Sequence, residues 1–173
     1  ETGVIPLQKG FEYLIQALNS DSLIDLSMPQ NAAAINYLGT GATSHVYSCI
    51  YQQSQCVMKV VKRLIDFENE CEALKCLSGI NGLPTIRGSN FPNLFISPLG
   101  VPLTRFHITH DSITNLVQTL REVHQKGWVH RDVRPPNLLY DIQNKRPIII
   151  DWGFAIPIPK KPVLYQGAKL NFA

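Results

Sequence analysis

Long apolar runs, blocks of charge and paired cysteines are all missing from this 173-residue chain. No stretch approaches the roughly 18 apolar residues of a bilayer-spanning helix, so no membrane span is expected. A charged-then-apolar segment of the signal-peptide kind is also absent from its opening residues. Charged residues make up only 17% of the total, the formal net charge is +3, and Lys and Arg form no dense cluster. That balance argues against nucleic acid as a partner. The four cysteines, Cys49, Cys56, Cys71 and Cys76, include no CxxC pair and no histidines at zinc spacing. Cys71 and Cys76 fall five residues apart in an expected helix and so point in different directions. Reduced, buried thiols are the expectation, which suits an intracellular protein, cytoplasmic or nuclear. Internal repeats and low-complexity tracts do not occur either.

What is there is globular, with 45% hydrophobic residues. GFEYLIQALNS (10–20) places Phe11, Leu14, Ile15 and Leu18 at helical spacing. From Ala33 the pattern turns to strands: AAINYLG, SHVYSCIY and QCVMKVV are β-branched and aromatic, parted by LGTGATS and by QQSQ. DFENECEALKCL (66–77) reads as a helix stopped by Gly79, Gly82 and Pro84. TIRG and NLFISP are further strands. SITNLVQTLREVHQ (112–125) reads as a second amphipathic helix, with Asp111 or Ser112 as its cap. WVH, NLLY and PIIID then supply three more short strands.

Several places in this pattern can carry chemistry. Gly39 and Gly41 sit in a turn between two strands, with small Ser44 following. Glycines there let backbone N–H groups approach a phosphate, although an ordinary hairpin turn gives the same signal. Lys59 lies mid-strand among apolar residues, where burial demands an anion and exposure demands nothing. Glu70 can be that anion. Glu68 and Glu72 compete for the role, and the pattern E-x-x-x-L-x-x-L selects Glu70, with Leu74 and Leu77 holding the opposite face. VHRDVRPPNLLY (129–140) crowds His130, Arg131, Asp132, Arg134 and Asn137 between apolar segments. Charged residues in a plain turn would look the same. Downstream, an apolar strand ends at Asp151 with Gly153 beside it. Asp132, Asn137 and Asp151 offer hard oxygen atoms suited to Mg²⁺ or to a hydroxyl proton. Phosphoryl transfer requires such parts and little covalent chemistry from the protein.

Taken in order, LGTGATSHV, VMK, Glu70, HRDVRPPN and DWG resemble the eukaryotic-type protein-kinase signature set, from about Ala33 to the last residue. The resemblance implies an α+β fold. A helical extension (1–32) precedes an N-terminal lobe (33–96) of five antiparallel strands and one helix. A partial, truncated C-terminal lobe (97–173) carries the catalytic loop and the DWG segment. It implies ATP and Mg²⁺ as cofactors and a protein substrate or docking partner. Gly39, Gly41 and Ser44 would cover the ATP phosphates, and Lys59 would touch them while paired with Glu70. Asp132 would be the base, with Arg134 beside the transferred phosphate, and Asn137 and Asp151 would hold the metal. Leu38, Val46, Val57 and Leu139 would wall the adenine, with Ile96 as gatekeeper and Ser97 and Leu99 giving backbone contacts. Ser44 stands where the family has a third glycine. Trp152 replaces Phe as in the casein kinase 2 group, Arg134 replaces Lys, and Ala168 replaces a Thr. From Trp152 to Ala173 there is no Ser or Thr, so no Ser/Thr phosphorylation switch is expected there. Three functions fit: a Ser/Thr-directed protein kinase, a non-catalytic binding module on the same fold, and a small-molecule kinase of the aminoglycoside or choline type.

Overall fold

The computed structural model describes residues 32–158. The expected helix at 10–20 and Ala168 lie outside those residues. Five antiparallel strands come first: β1 (Ala32–Thr40), β2 (Ser44–Tyr51), β3 (Ser54–Val61), β4 (Thr85–Asn90) and β5 (Asn93–Ser97). They form one sheet in the order β1-β2-β3-β5-β4. The turn between β2 and β3 puts Gln52 and Gln53 at φ 50° and 64°. Two consecutive positive φ values match the twist of a tight hairpin, although neither residue is the Asn or Gly usual there.

Helix α1 (Leu64–Cys76) joins β3 to β4 and begins two residues before the expected start. The Arg63 side chain clamps the Asp66 carboxylate with two bonds of 2.6 and 2.7 Å, which steadies the first turn. Phe67, Glu70, Cys71, Ala73 and Leu74 are buried. Glu70 and Leu74 are one turn apart and share a face, which corrects the expectation that Leu74 and Leu77 hold the opposite one. Leu77 is the residue that ends the helix. Cys49, Cys56 and Cys71 are buried free thiols, whereas Cys76 is exposed, contrary to the expectation for it.

Below the sheet, α2 (His110–Gln125) is capped by Thr109, not by Asp111 or Ser112. Thr109 and Ser112 bond each other's backbone N–H reciprocally, at 2.8 and 3.1 Å. The capping hydroxyl comes from Thr109 because Ser112 occupies the third helical position and serves as the returning partner. β6 (Val101–Pro102), β8 (Leu138–Asp141) and β9 (Arg146–Ile149) form a three-stranded sheet, and β7 (Trp128–Val129) pairs with β10 (Ile156–Pro157). No helix among the described residues is long and apolar enough to cross a membrane. A single apolar core runs from Val57, Phe67, Leu74 and Ile96 in the upper part to Val123, Ile149 and Trp152 in the lower.

The segment from Ser78 to Pro84 is tied to the lower part by three hydrogen bonds. Lys126 Nζ donates to the Ser78 carbonyl at 3.0 Å, Thr119 Oγ1 to the Asn81 carbonyl at 2.9 Å, and the Ile149 N–H to the Gly82 carbonyl at 2.9 Å. Gly82 has φ +82°, and a Cβ there would lie 2.6 Å from Thr119 Oγ1 and 3.3 Å from the Pro147 carbonyl oxygen. Gly79, at φ +87°, has open space around it. Gly82→Ala is therefore expected to cost about 2 kcal/mol or more, and Gly79→Ala about 1 kcal/mol from backbone strain alone. Urea unfolding of the two variants checks this, and equal costs would mean that Thr119 does not confine the loop.

Candidate functional site

Lys59 is the group around which the site is built. It projects from β3, is 7% exposed, and its ammonium reaches Glu70 Oε2 and Asp151 Oδ1, each at 2.7 Å. Burial alone would pull the lysine down, but the charges of Glu70 and Asp151 and the bonds to them hold it above its ordinary value. Lys59 is therefore a buried ammonium, charged at neutral pH. Glu68 and Glu72 stay exposed on α1.

The strand register places the expected nucleotide-facing residues relative to Lys59. Val57 shares its face, being two residues away, and directly opposite residues of an antiparallel pair share one too. Val46 faces Lys59 across β2–β3 and Ile96 faces Val57 across β3–β5. Val46, Val57 and Ile96 thus line the same side. Gly39 lies opposite Val46 on β1. The Gly41 N–H donates to the Ser44 carbonyl at 2.8 Å, closing the glycine turn. Ser44 is buried, and Thr40 and His45 bond each other across the turn. Leu38 is 50% exposed. Ser97 and Leu99 are half-buried, and Leu99 packs on the core. Leu139, on β8, lies against Gly100, where an added Cβ would come within 2.8 Å of the Leu139 Cβ.

Asp132 and Asn137 are knitted together. Asn137 donates its side-chain amide to the Asp132 carbonyl at 2.9 Å and to Asp132 Oδ2 at 2.8 Å, and Arg134 Nε donates to the same Oδ2 at 3.1 Å. The Ile150 N–H donates to the Asn137 carbonyl at 2.9 Å, which brings the loop against the residue preceding Asp151. Asp151 itself takes left-handed backbone angles, φ 66° and ψ 67°. Such a conformation costs energy for a residue with a Cβ, Asp less than most, and it persists because the surrounding contacts fix it. Arg131 is secured by a backbone oxygen, its Nε donating to the Phe154 carbonyl at 2.6 Å.

Asn137 and Asp151 fit a magnesium ion in chemistry, since both offer hard oxygen atoms and Asn137 is oriented by its own N–H bonds. Among the described residues no group of three or more His, Cys, Asp and Glu side chains could enclose a metal. A cation held here would complete its shell with water and substrate oxygens, as Mg²⁺ commonly does.

Residues 100–159 match the phosphotransferase enzyme family, APH. The chain is similar to casein kinase II subunit alpha′ of Saccharomyces cerevisiae, 29% identical over 150 residues, which are 76% of this chain and 44% of that protein. It is also similar to a non-specific serine/threonine protein kinase of Drosophila melanogaster, 30% identical over 113 residues, 57% of this chain and 17% of that protein. A third relative is the cell division cycle 7-related protein kinase of Homo sapiens, 40% identical over 50 residues, 29% of this chain and 9% of that protein. The chain thus spans less than half the length of these relatives. The described residues form a protein-kinase-like domain.

His130 matters more to this kinase-like domain than sequence reasoning indicated. His130 is 1% exposed, and its Nδ1 accepts from the Asp132 N–H at 3.1 Å while Nε2 donates to the Ile150 carbonyl at 2.9 Å. Burial holds its pKa below the ordinary value, consistent with a neutral ring that spaces the Asp132 loop from the Asp151 segment. That ring stands nearly perpendicular to Trp152, centroids 4.5 Å apart, and Trp152 anchors itself through Nε1 to the Ile149 carbonyl at 2.8 Å. A histidine between an apolar strand and a charged turn was the available signal for this role. Ser48, register partner of Val57, has a buried hydroxyl with no hydrogen-bond partner among the described residues, and nothing in the sequence marks it.

Removing Glu70 leaves the buried ammonium with one carboxylate in place of two. Glu70→Ala is expected to cost about 3 kcal/mol, the range for breaking a buried pair. Glu68→Ala and Glu72→Ala, on the exposed face, are expected within about 0.5 kcal/mol of the parent. Chemical denaturation of the three variants distinguishes them, and similar losses at all three positions would contradict the assignment of Glu70.

Proposed function

We propose that the chain acts as an ATP- and Mg²⁺-dependent protein kinase directed to Ser and Thr hydroxyls. The observation that carries this reading is the buried Lys59 shared between Glu70 and Asp151, with the Asp132–Asn137 pair beside the same segment. A lysine held charged in a buried place is suited to grip phosphate oxygens. Val46, Val57 and Ile96 would shelter the base, and N–H groups of the glycine turn would approach the phosphates. Asn137 and Asp151 would hold Mg²⁺, which supplies charge neutralisation between phosphate groups. Asp132, fixed by Asn137 and Arg134, would accept the proton of the attacking hydroxyl, and the exposed remainder of Arg134 would face the transferred phosphate.

The match of residues 100–159 to the phosphotransferase enzyme family supports a second reading, transfer to a small-molecule hydroxyl. Both readings use the same nucleotide site and differ in the acceptor. Fold likeness does not choose between them.

Nucleotide binding and transfer test the proposal together. ATP with Mg²⁺ at 100 times Kd is expected to stabilise the chain by about 2.7 kcal/mol, read as a rise in thermal midpoint. Asp132→Asn is expected to keep that rise while lowering transfer by about a hundredfold or more. Labelled ATP offered with a protein mixture, and separately with amino-alcohol and aminoglycoside acceptors, identifies the acceptor class. Absence of any thermal response at millimolar nucleotide would defeat both readings.

A further inference from the structure

Two sulfur atoms on the sheet stand apart from the site described above. Cys49 on β2 and Cys56 on β3 are register partners, flanked by the unbroken pairs Ser48↔Val57 and Ile50↔Gln55. Their Sγ atoms are 3.1 Å apart and hydrogen-bond each other. Both residues are nearly inaccessible, at 0% and 1% exposure, and both are free thiols. They lie on the face opposite Lys59, since Cys56 is three residues from it along β3. Tyr47, Met58 and Phe95 share that face and are buried as well.

Directly opposite residues of an antiparallel pair hold their Cβ atoms about 4.5–5.5 Å apart, and a disulfide needs about 3.5–4.5 Å. The sulfurs themselves must approach by roughly 1 Å to reach bonding distance. An unbroken ladder on both sides keeps the two side chains aligned for that approach. The other two cysteines have no such geometry: Cys71 sits on α1, and Cys76 is exposed at the end of that helix.

We propose that Cys49 and Cys56 are an oxidative modification site, a dithiol that hydrogen peroxide converts to a disulfide within the β2–β3 hairpin. One thiolate attacks a peroxide oxygen, so that an S–O bond forms, the O–O bond breaks and hydroxide leaves to become water. The second thiolate attacks the sulfenic sulfur, so that the S–S bond forms, the S–O bond breaks and a second water departs. The two thiols lose two protons and two electrons, and one peroxide becomes two waters. Burial, together with the neighbouring Cys56, pushes the Cys49 thiol up to about 12. The thiolate is thus scarce while the hairpin is closed, and oxidation proceeds through brief openings near the Gln52–Gln53 turn. The staple joins the strand that leaves the glycine turn to the strand that bears Lys59.

The chain carrying Cys76→Ser, which removes the exposed thiol, is treated with hydrogen peroxide, denatured and titrated for free thiols. Two of its three remaining thiols, counted from four in the parent, are expected to disappear. The mass is expected to fall by two hydrogens, one cross-linked peptide is expected to contain Cys49 and Cys56, and dithiothreitol is expected to restore both thiols. Adding Cys56→Ala is expected to abolish the cross-link. Three thiols surviving in Cys76→Ser, a gain of oxygen without a cross-link, or a link to Cys71 would each overturn the proposal. This test does not depend on nucleotide binding, so it is decided separately from the kinase reading.

Discussion

The arrangement depends on keeping one ammonium charged in a place that excludes water. Lys59 comes from the sheet, Glu70 from α1 and Asp151 from a segment that lies 92 positions further along the chain. An isolated charge at that depth would be severely unfavourable, so the three elements are obliged to meet there. The apolar core around Val57, Phe67 and Leu74 brings them near, and the charge triad specifies where they stop. Hydrophobic burial is indifferent to direction, whereas a carboxylate at 2.7 Å is not.

The second constraint is carried by backbone atoms. Asp132 and Asp151 belong to different loops, each carrying only a single short 3-10 turn, Pro135–Asn137 and Trp152–Phe154. His130 bridges them, accepting from one backbone and donating to the other, while the Asn137 carbonyl accepts from Ile150. Asp151 is thereby kept in a left-handed conformation that only the surrounding bonds sustain. The match to the phosphotransferase enzyme family covers residues 100–159 and so spans both of these loops.

Much of this was legible in the residues because the motifs are strongly patterned. The β-branched and aromatic runs SHVYSCIY and QCVMKVV marked β2 and β3, and the ordered spacing of Lys59, Glu70, Asp132, Asn137 and Asp151 marked the site. The elements that were misread turned on contacts that local pattern does not contain. Thr109 caps α2 because its hydroxyl and Ser112 exchange bonds, a choice that neighbouring Asp111 obscures. Cys76 is exposed because α1 turns its last residue outward, whereas composition alone suggested that all four thiols were buried. The bridging by His130 depends on Ile150, 20 residues away, and no local rule anticipates it.

The three bonds that hold the segment from Ser78 to Pro84 give α1 a fulcrum at its C-terminal end. With a rise of ~1.5 Å per residue, Glu70 stands ~9 Å from Cys76 along the axis and Leu64 ~18 Å. The helix is thus a lever with Glu70 at mid-arm. A tilt that carries the Leu64 end through a given arc moves Glu70 through about half of it. Contacts towards the outer end, where the Asp66 carbonyl oxygen lies 3.9 Å from where a Gly153 Cβ would be, therefore act on the Lys59 pairing with a mechanical advantage of about 1.7.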